Sequence, residues 1–347
     1  MEEKKRIEYI DLAKGICIIL VVLMHFVPEI GKKYAILTCL RMPLYYCLSG
    51  LFFKDYGKFK NFLLKKSDRL LIPFIAWYII SYGIYYLRVI TIGHPEHVFH
   101  PADLFLDTEF YNGSIWFLLS LFWCNLLFFL INKITTNEII RISFVIIIAA
   151  GGYLWSMADY NNFLYIGSSM MGLPFFYFGR TLFDYKIIFN SPSKRQDYIT
   201  AFIAALVLTG IFIIQEETSH ATFYLNKIDG GNPVQFYICG FCCITLALLF
   251  CKWIKKIPFV SFLGRFSIIV LLTHMLIHNI INRTFQHLTG IEGENTAFNL
   301  ILFITVILSM GIIIPFCIKY LPYITSQKGF LEERFYTGSK ESSTSTA

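Results

Sequence analysis

The chain has 347 residues, of which 56% are hydrophobic, 18% aromatic and 15% charged, with a formal net charge of +7. Soluble domains carry about 25% charged residues, and here the apolar residues come in blocks of roughly 17–25, long enough to cross a bilayer core. Most of those blocks lack a polar stripe, which excludes a soluble fold.

An all-α, polytopic transmembrane bundle is therefore expected, with about ten spans. They read as Ala13–Val27, Ala35–Phe53, Leu70–Ile92, Ile115–Ile131, Ile139–Met157, Phe163–Phe183, Ile199–Ile214, Val234–Trp253, Phe262–Ile281 and Phe298–Tyr320. The first reads as a retained span and not as a cleavable signal, because Lys14 interrupts the approach and Pro28-Glu29 follows without a small-residue cleavage pattern. An even count puts both termini on one side. With the N-terminus in the cytoplasm, 24 Lys and Arg fall inside and 6 outside, while the acidic residues split 12 to 11. The bias belongs to Lys and Arg, as the positive-inside rule requires. Both termini are expected in the cytoplasm, and the net charge reflects topology and contact with anionic lipid, not nucleic-acid binding. Residues 1–325 form one membrane domain without evident repeats. Residues 326–347 read as a polar cytoplasmic tail, disordered over Gly338–Ala347. The nine cysteines sit in or beside apolar blocks and read as packing residues, Cys239-x-x-Cys242 included. No metal site is expected. The cluster His94-Pro95-Glu96-His97 with His100 reads as a solvated or substrate-facing loop.

Polar groups within the spans are costly and mark functional candidates. Lys14 and His25 stand eleven residues apart on one helix face, about 16 Å along the axis. Asp11, one turn before Lys14, can pair with it. The plainer reading is a snorkelling lysine and an interfacial histidine. Arg41, before Met42-Pro43-Leu44, is an interfacial anchor or a functional cation. Ser49-Gly50 fits a path or a small-residue packing surface. Lys65-Lys66-Ser67-Asp68-Arg69 is either the usual basic anchor or a phosphate-binding patch. Trp116, in Asn112-Gly113-Ser114-Ile115-Trp116, fits an aromatic belt as well as a site. Ser267, His274 and His278 share a face of the ninth span and read as a polar stripe.

Together these segments resemble the acyltransferase-3 family of integral membrane O-acyltransferases, and within it the fucose 4-O-acetylase-like and exopolysaccharide acyltransferase subgroup. The resemblance rests on Tyr9-Ile-Asp-Leu-Ala-Lys-Gly15 running to His25, Met42-Pro43-Leu44 to Leu48-Ser49-Gly50, and Arg69-Leu-Leu-Ile-Pro73. It continues through Trp116-Phe117-Leu118, Leu173-Pro-Phe-Phe176 with Gly179, and Gly264-Arg-Phe-Ser267 to His274. Many relatives carry Arg at the position of Lys14, and subgroup members often carry His at that of Arg41. The resemblance implies acetyl-CoA as donor and a hydroxyl of a cell-surface or lipid-linked sugar as acceptor, in a bacterial cell membrane. On that reading His25 is the base and Arg41 the stabiliser. Lys14, Lys66 and Arg69 bind the donor, and Asp11, Ser49, Trp116, Ser267 and His274 line the path. The competing reading is a transporter or flippase for a lipid-linked or anionic solute, which the lack of paired repeats disfavours.

Overall fold

The computed structural model describes residues 7–28, 30, 35–92, 98–106, 110–158, 161–185, 194–214, 223–227, 229–289 and 296–331. His94, Glu96, His97 and the Gly338–Ala347 tail lie outside them. Every expected span folds as helix. In chain order the helices are α1 (Glu8–Phe26), α2 (Ala35–Leu51), α3 (Phe59–Lys66), α4 (Ile72–Ile92), α5 (Asp103–Leu106), α6 (Trp116–Ile134) and α7 (Glu138–Met157). They continue with α8 (Ile166–Asp184), α9 (Lys194–Ile214), α10 (Pro233–Ile254), α11 (Pro258–Arg265), α12 (Ser267–Thr289) and α13 (Thr296–Tyr320). Between α9 and α10, Phe223–Tyr224 pairs antiparallel with Asp229–Gly230 in a small hairpin.

Among the described residues, six helices are long and apolar enough to cross a membrane, or seven if the bent pair α11–α12 counts as one. The other three expected spans are α2, α8 and α9. The apolar part of α2, Ile36–Leu51, is short. Helix α8 carries Gly167, Ser168, Ser169, Gly172 and Gly179 as buried positions, so its sequence answers to neighbouring helices and not to lipid. Helix α9 opens on Lys194, Arg195 and Asp197, and Asp197 pairs with Lys252 at 2.9 Å. The core is apolar but also encloses several polar groups, and many large apolar side chains face outward. Asn112, Ser120, Ser168, Ser169 and His274 are buried, while Ile90, Ile139, Ile213 and Ile312 are exposed. That pattern suits hydrocarbon outside and satisfied polar groups inside.

Two glycine contacts set how closely the central helices approach. A Cβ on Gly15 would meet the Val260 carbonyl oxygen, and one on Gly264 the Asp11 carbonyl oxygen, so α11 lies backbone to backbone on the start of α1. Gly50 and Gly179 do the same for α2 and α8, against the carbonyls of Phe176 and Cys47. Gly50 therefore belongs to a helix–helix contact.

Two expected elements differ in shape. The ninth span does not run straight from Phe262. It breaks at Phe266 with a 90° turn, and the helix of spanning length begins at Ser267. The short α11 before it is a separate amphipathic piece, pinned to α1 by Gly264. The basic stretch Lys65–Arg69 has a distinctive shape as well. It is continuous helix with a π-turn over Ser67–Leu71, the kind of bulge that frequently marks functional sites. Asp68 is buried there and accepts from the Leu331 amide at 2.7 Å, while Arg69 donates to the Ser326 carbonyl. Trp77 adds a bond to the Ile324 carbonyl at 2.9 Å. Residues 324–331, which straddle the expected start of the tail, are thus strapped to this helix.

Candidate active site

Three adjoining cavities run through the bundle. The widest, a vestibule of about 1120 Å³, opens beside the first turns of α1. Its lining includes Asp11, Lys14, Lys54, Arg141 and Arg180. Arg141 and Arg180 are held by Glu138 and Asp184, each at 2.5 Å. The second, a basic cavity of about 510 Å³, takes Lys14, Lys54, Lys66 and Arg69 together with Ser49 and Ser267. Lys14, Phe52 and Lys54 line both. The Lys14 ammonium stands 4.2 Å over the Phe52 ring, and that of Lys66 5.4 Å from the Phe53 ring. Aromatic faces are a common support for cations removed from water. The bend at Phe266 also matters here, because Ser267 and Ile268 open the 23-residue α12 on the wall of this cavity. A helix start carries partial positive charge.

The third cavity is small, about 70 Å³, and holds His25 and Arg41 with Thr38, Tyr45, Ser114, Trp116, Tyr224 and Asn226 on its walls. Helix α1 is unbroken from Lys14 to His25, so the face-sharing read from their spacing places one residue in the basic cavity and the other here. The Cys17 thiol donates to the Arg41 carbonyl at 2.8 Å, which ties α2 to α1 at this level. Among the described residues Arg41 forms no ion pair, and its buried Nε has no hydrogen-bond partner. A partly buried cation without an ion pair is costly, and such groups within spans are functional candidates.

Trp116 faces the protein interior. It is buried, 5.4 Å from the Tyr165 ring, and lines the histidine cavity. The segment leading into it is fixed on α12. Asn112, wholly buried, donates to the Leu272 carbonyl at 3.0 Å, and the Ser114 hydroxyl lies 3.0 Å from the Leu271 carbonyl.

His274 lines none of the three cavities, contrary to its expected place on the path. It sits fully buried behind His25, with ring centroids 5.4 Å apart. Its Nδ1 is 2.8 Å from the Val270 carbonyl and its buried Nε2 has no partner. A carbonyl can only accept, so Nδ1 carries the proton and Nε2 is left as an acceptor.

The hairpin between α9 and α10 contributes Tyr224, Leu225 and Asn226, which the sequence reading missed. Leu225 is buried, and its carbonyl accepts from Ser168 at 2.5 Å. Asn162 holds the next residue by donating to the Asn226 carbonyl at 2.9 Å. Ser168 and Asn162 also meet at 2.7 Å. The hairpin is therefore fastened to the polar interior of α8 and lies over the histidine cavity.

A family profile described as an acyltransferase domain, that of the acyltransferase-3 family, matches residues 7–320. The chain belongs to this family. It is a membrane acyltransferase, and the matched region contains every cavity residue described above. No curated protein and no solved structure matches the chain.

Proposed function

We propose that this acyltransferase is an O-acetyltransferase of the fucose 4-O-acetylase-like and exopolysaccharide subgroup. It would move an acetyl group from cytoplasmic acetyl-CoA to a hydroxyl of a cell-surface or lipid-linked sugar. The enzyme is a multi-pass protein of the bacterial inner membrane with both termini in the cytoplasm. The observation that carries the reading is the shared small cavity of His25 and Arg41, adjoining a larger cavity lined by four cations.

The anionic donor suits the second cavity. CoA phosphates and diphosphate need several cations, and Lys14, Lys66, Arg69 and the start of α12 are gathered there. The Lys/Arg count puts this end of α1 in the cytoplasm, where acetyl-CoA is found, and the His25 end toward the outer face.

Transfer then follows from the residues of the small cavity. His25 takes the proton of the acceptor hydroxyl as its oxygen bonds to the acetyl carbonyl carbon. The carbonyl electron pair moves onto oxygen, where the unpaired Arg41 guanidinium stabilises it. Collapse re-forms the carbonyl and breaks the carbon–sulfur bond. The departing CoA thiolate recovers the proton from His25. His274 acts through His25, since its acceptor Nε2 favours the His25 tautomer that presents N–H to it and a lone pair to the acceptor. Hydrogen bonds of this kind are often long before substrate binds.

The test is the surface glycan of a deletion strain. Mass spectrometry should find one acetyl substituent missing per repeat and restored by the wild-type gene. An unchanged acetylation pattern would contradict the reading.

A further inference from the structure

The histidine cavity has two kinds of boundary. Toward the basic cavity it shares Tyr45, Phe117 and Leu271, all three buried. A donor held in the basic cavity meets His25 from that side. Elsewhere the wall is the hairpin, through Tyr224, Leu225 and Asn226, and the basic cavity takes no residue from it. Among the residues that line the histidine cavity, Tyr224 alone is exposed, while Leu225 beside it is buried. The hairpin is thus where this cavity borders the surroundings of the protein.

The way the hairpin is held uses its backbone and spares its side chains. The Leu225 and Asn226 carbonyls accept from Ser168 and Asn162, and the Tyr224 carbonyl accepts from the Lys227 amide at 3.0 Å. Among the described residues, neither the Tyr224 hydroxyl nor the Asn226 side-chain amide forms a hydrogen bond. Tyr224 also stands within electrostatic range of Arg41. A phenol and an amide each donate and accept, and a guanidinium donates. Gathered at one opening, they suit a ligand with several neighbouring hydroxyls. Trp116, on the same wall, offers the broad apolar face that the C–H side of a sugar ring needs. A simple alcohol would leave most of these groups without a partner.

We propose that Tyr224 and Asn226 bind the acceptor sugar, holding the hydroxyls that flank the one presented to His25. This deepens the proposed function and rests on it. The hairpin then selects which sugar is acetylated and at which position. Specificity of this kind is efficient, because a site built to hydrogen-bond a hydroxyl disfavours an analogue that lacks it. The backbone bonds to Ser168 and Asn162 serve to fix the two side chains at the opening.

The experiment follows transfer from radiolabelled acetyl-CoA by membranes carrying the wild type, Tyr224→Phe, Asn226→Ala or both changes together. Two acceptor preparations from the deletion strain are titrated, its de-O-acetylated surface glycan and its lipid-linked sugar fraction. The wild type should acetylate at least one of them. Each single variant should raise the apparent KM for that acceptor by about 3- to 10-fold, the worth of one hydrogen bond. The double variant should raise it by about tenfold or more, with the KM for acetyl-CoA unchanged throughout. Tyr224→Phe keeps the ring and removes only the hydroxyl, so it reads the contact and not the fold. An unchanged acceptor KM in all three variants overturns the proposal, as does an equal rise in the KM for acetyl-CoA. Transfer by the wild type to neither preparation overturns the sugar O-acetyltransferase reading, and the proposal with it.

Discussion

Lys14 was legible in the sequence, and its neighbours in space were not. A charge inside an apolar block stands out, and the helical period alone puts it on the face of His25. Nothing in the period says that Lys66 and Arg69, from another part of the chain, line the same cavity. Lys14 has a single ammonium, so it supplies charge without the planar fork of a guanidinium. Lys14→Ala or Arg69→Ala should raise the apparent KM for acetyl-CoA and leave the acceptor KM nearly unchanged, as steady-state assays on membranes would read. An effect confined to the acceptor would contradict the donor site. Tyr224 and Asn226 were illegible for a different reason. They sit on a hairpin too short to show any periodicity, and their place is set by Asn162 and Ser168 on a distant part of the chain.

At the scale of elements, the apolar blocks announced the helices, because continuous hydrophobicity over a bilayer's width has few other outcomes. The break at Phe266 was hidden by the same continuity, since Phe262–Leu272 reads as one mainly apolar run despite Gly264, Arg265 and Ser267. What enforces it is a tertiary contact, the seating of Gly264 on the Asp11 carbonyl. Ser267, three residues on, lines the basic cavity together with Lys14. Gly264→Ala must push the two backbones apart, and overpacking of this kind costs about 1–3 kcal/mol. A lowered Tm in detergent is expected. Gly210→Ala is the control, because nothing lies within 4 Å of the added Cβ and a helical Gly→Ala gains up to about 1 kcal/mol. Equal Tm changes in the two variants would contradict the account of the bend.

For the whole molecule, the Lys/Arg bias predicts an orientation of the bundle with both termini in the cytoplasm. The vestibule and basic cavity lie at the Lys14 end, and the small cavity at the His25 end. Reporter fusions after Lys60 and after Ala347 should read cytoplasmic, and one near Asp107 external. A cytoplasmic reading at Asp107 would exchange the donor and acceptor faces. The central claim is that the two substrates meet at His25, and one measurement addresses it most directly. Acetyl transfer by His25→Ala is compared with wild type in membranes holding equal amounts of each protein. Loss of a general base typically costs about 10²–10⁴-fold, and a fall of that size with unchanged acetyl-CoA binding is the expected result. A near-normal transfer rate at wild-type protein level would contradict it.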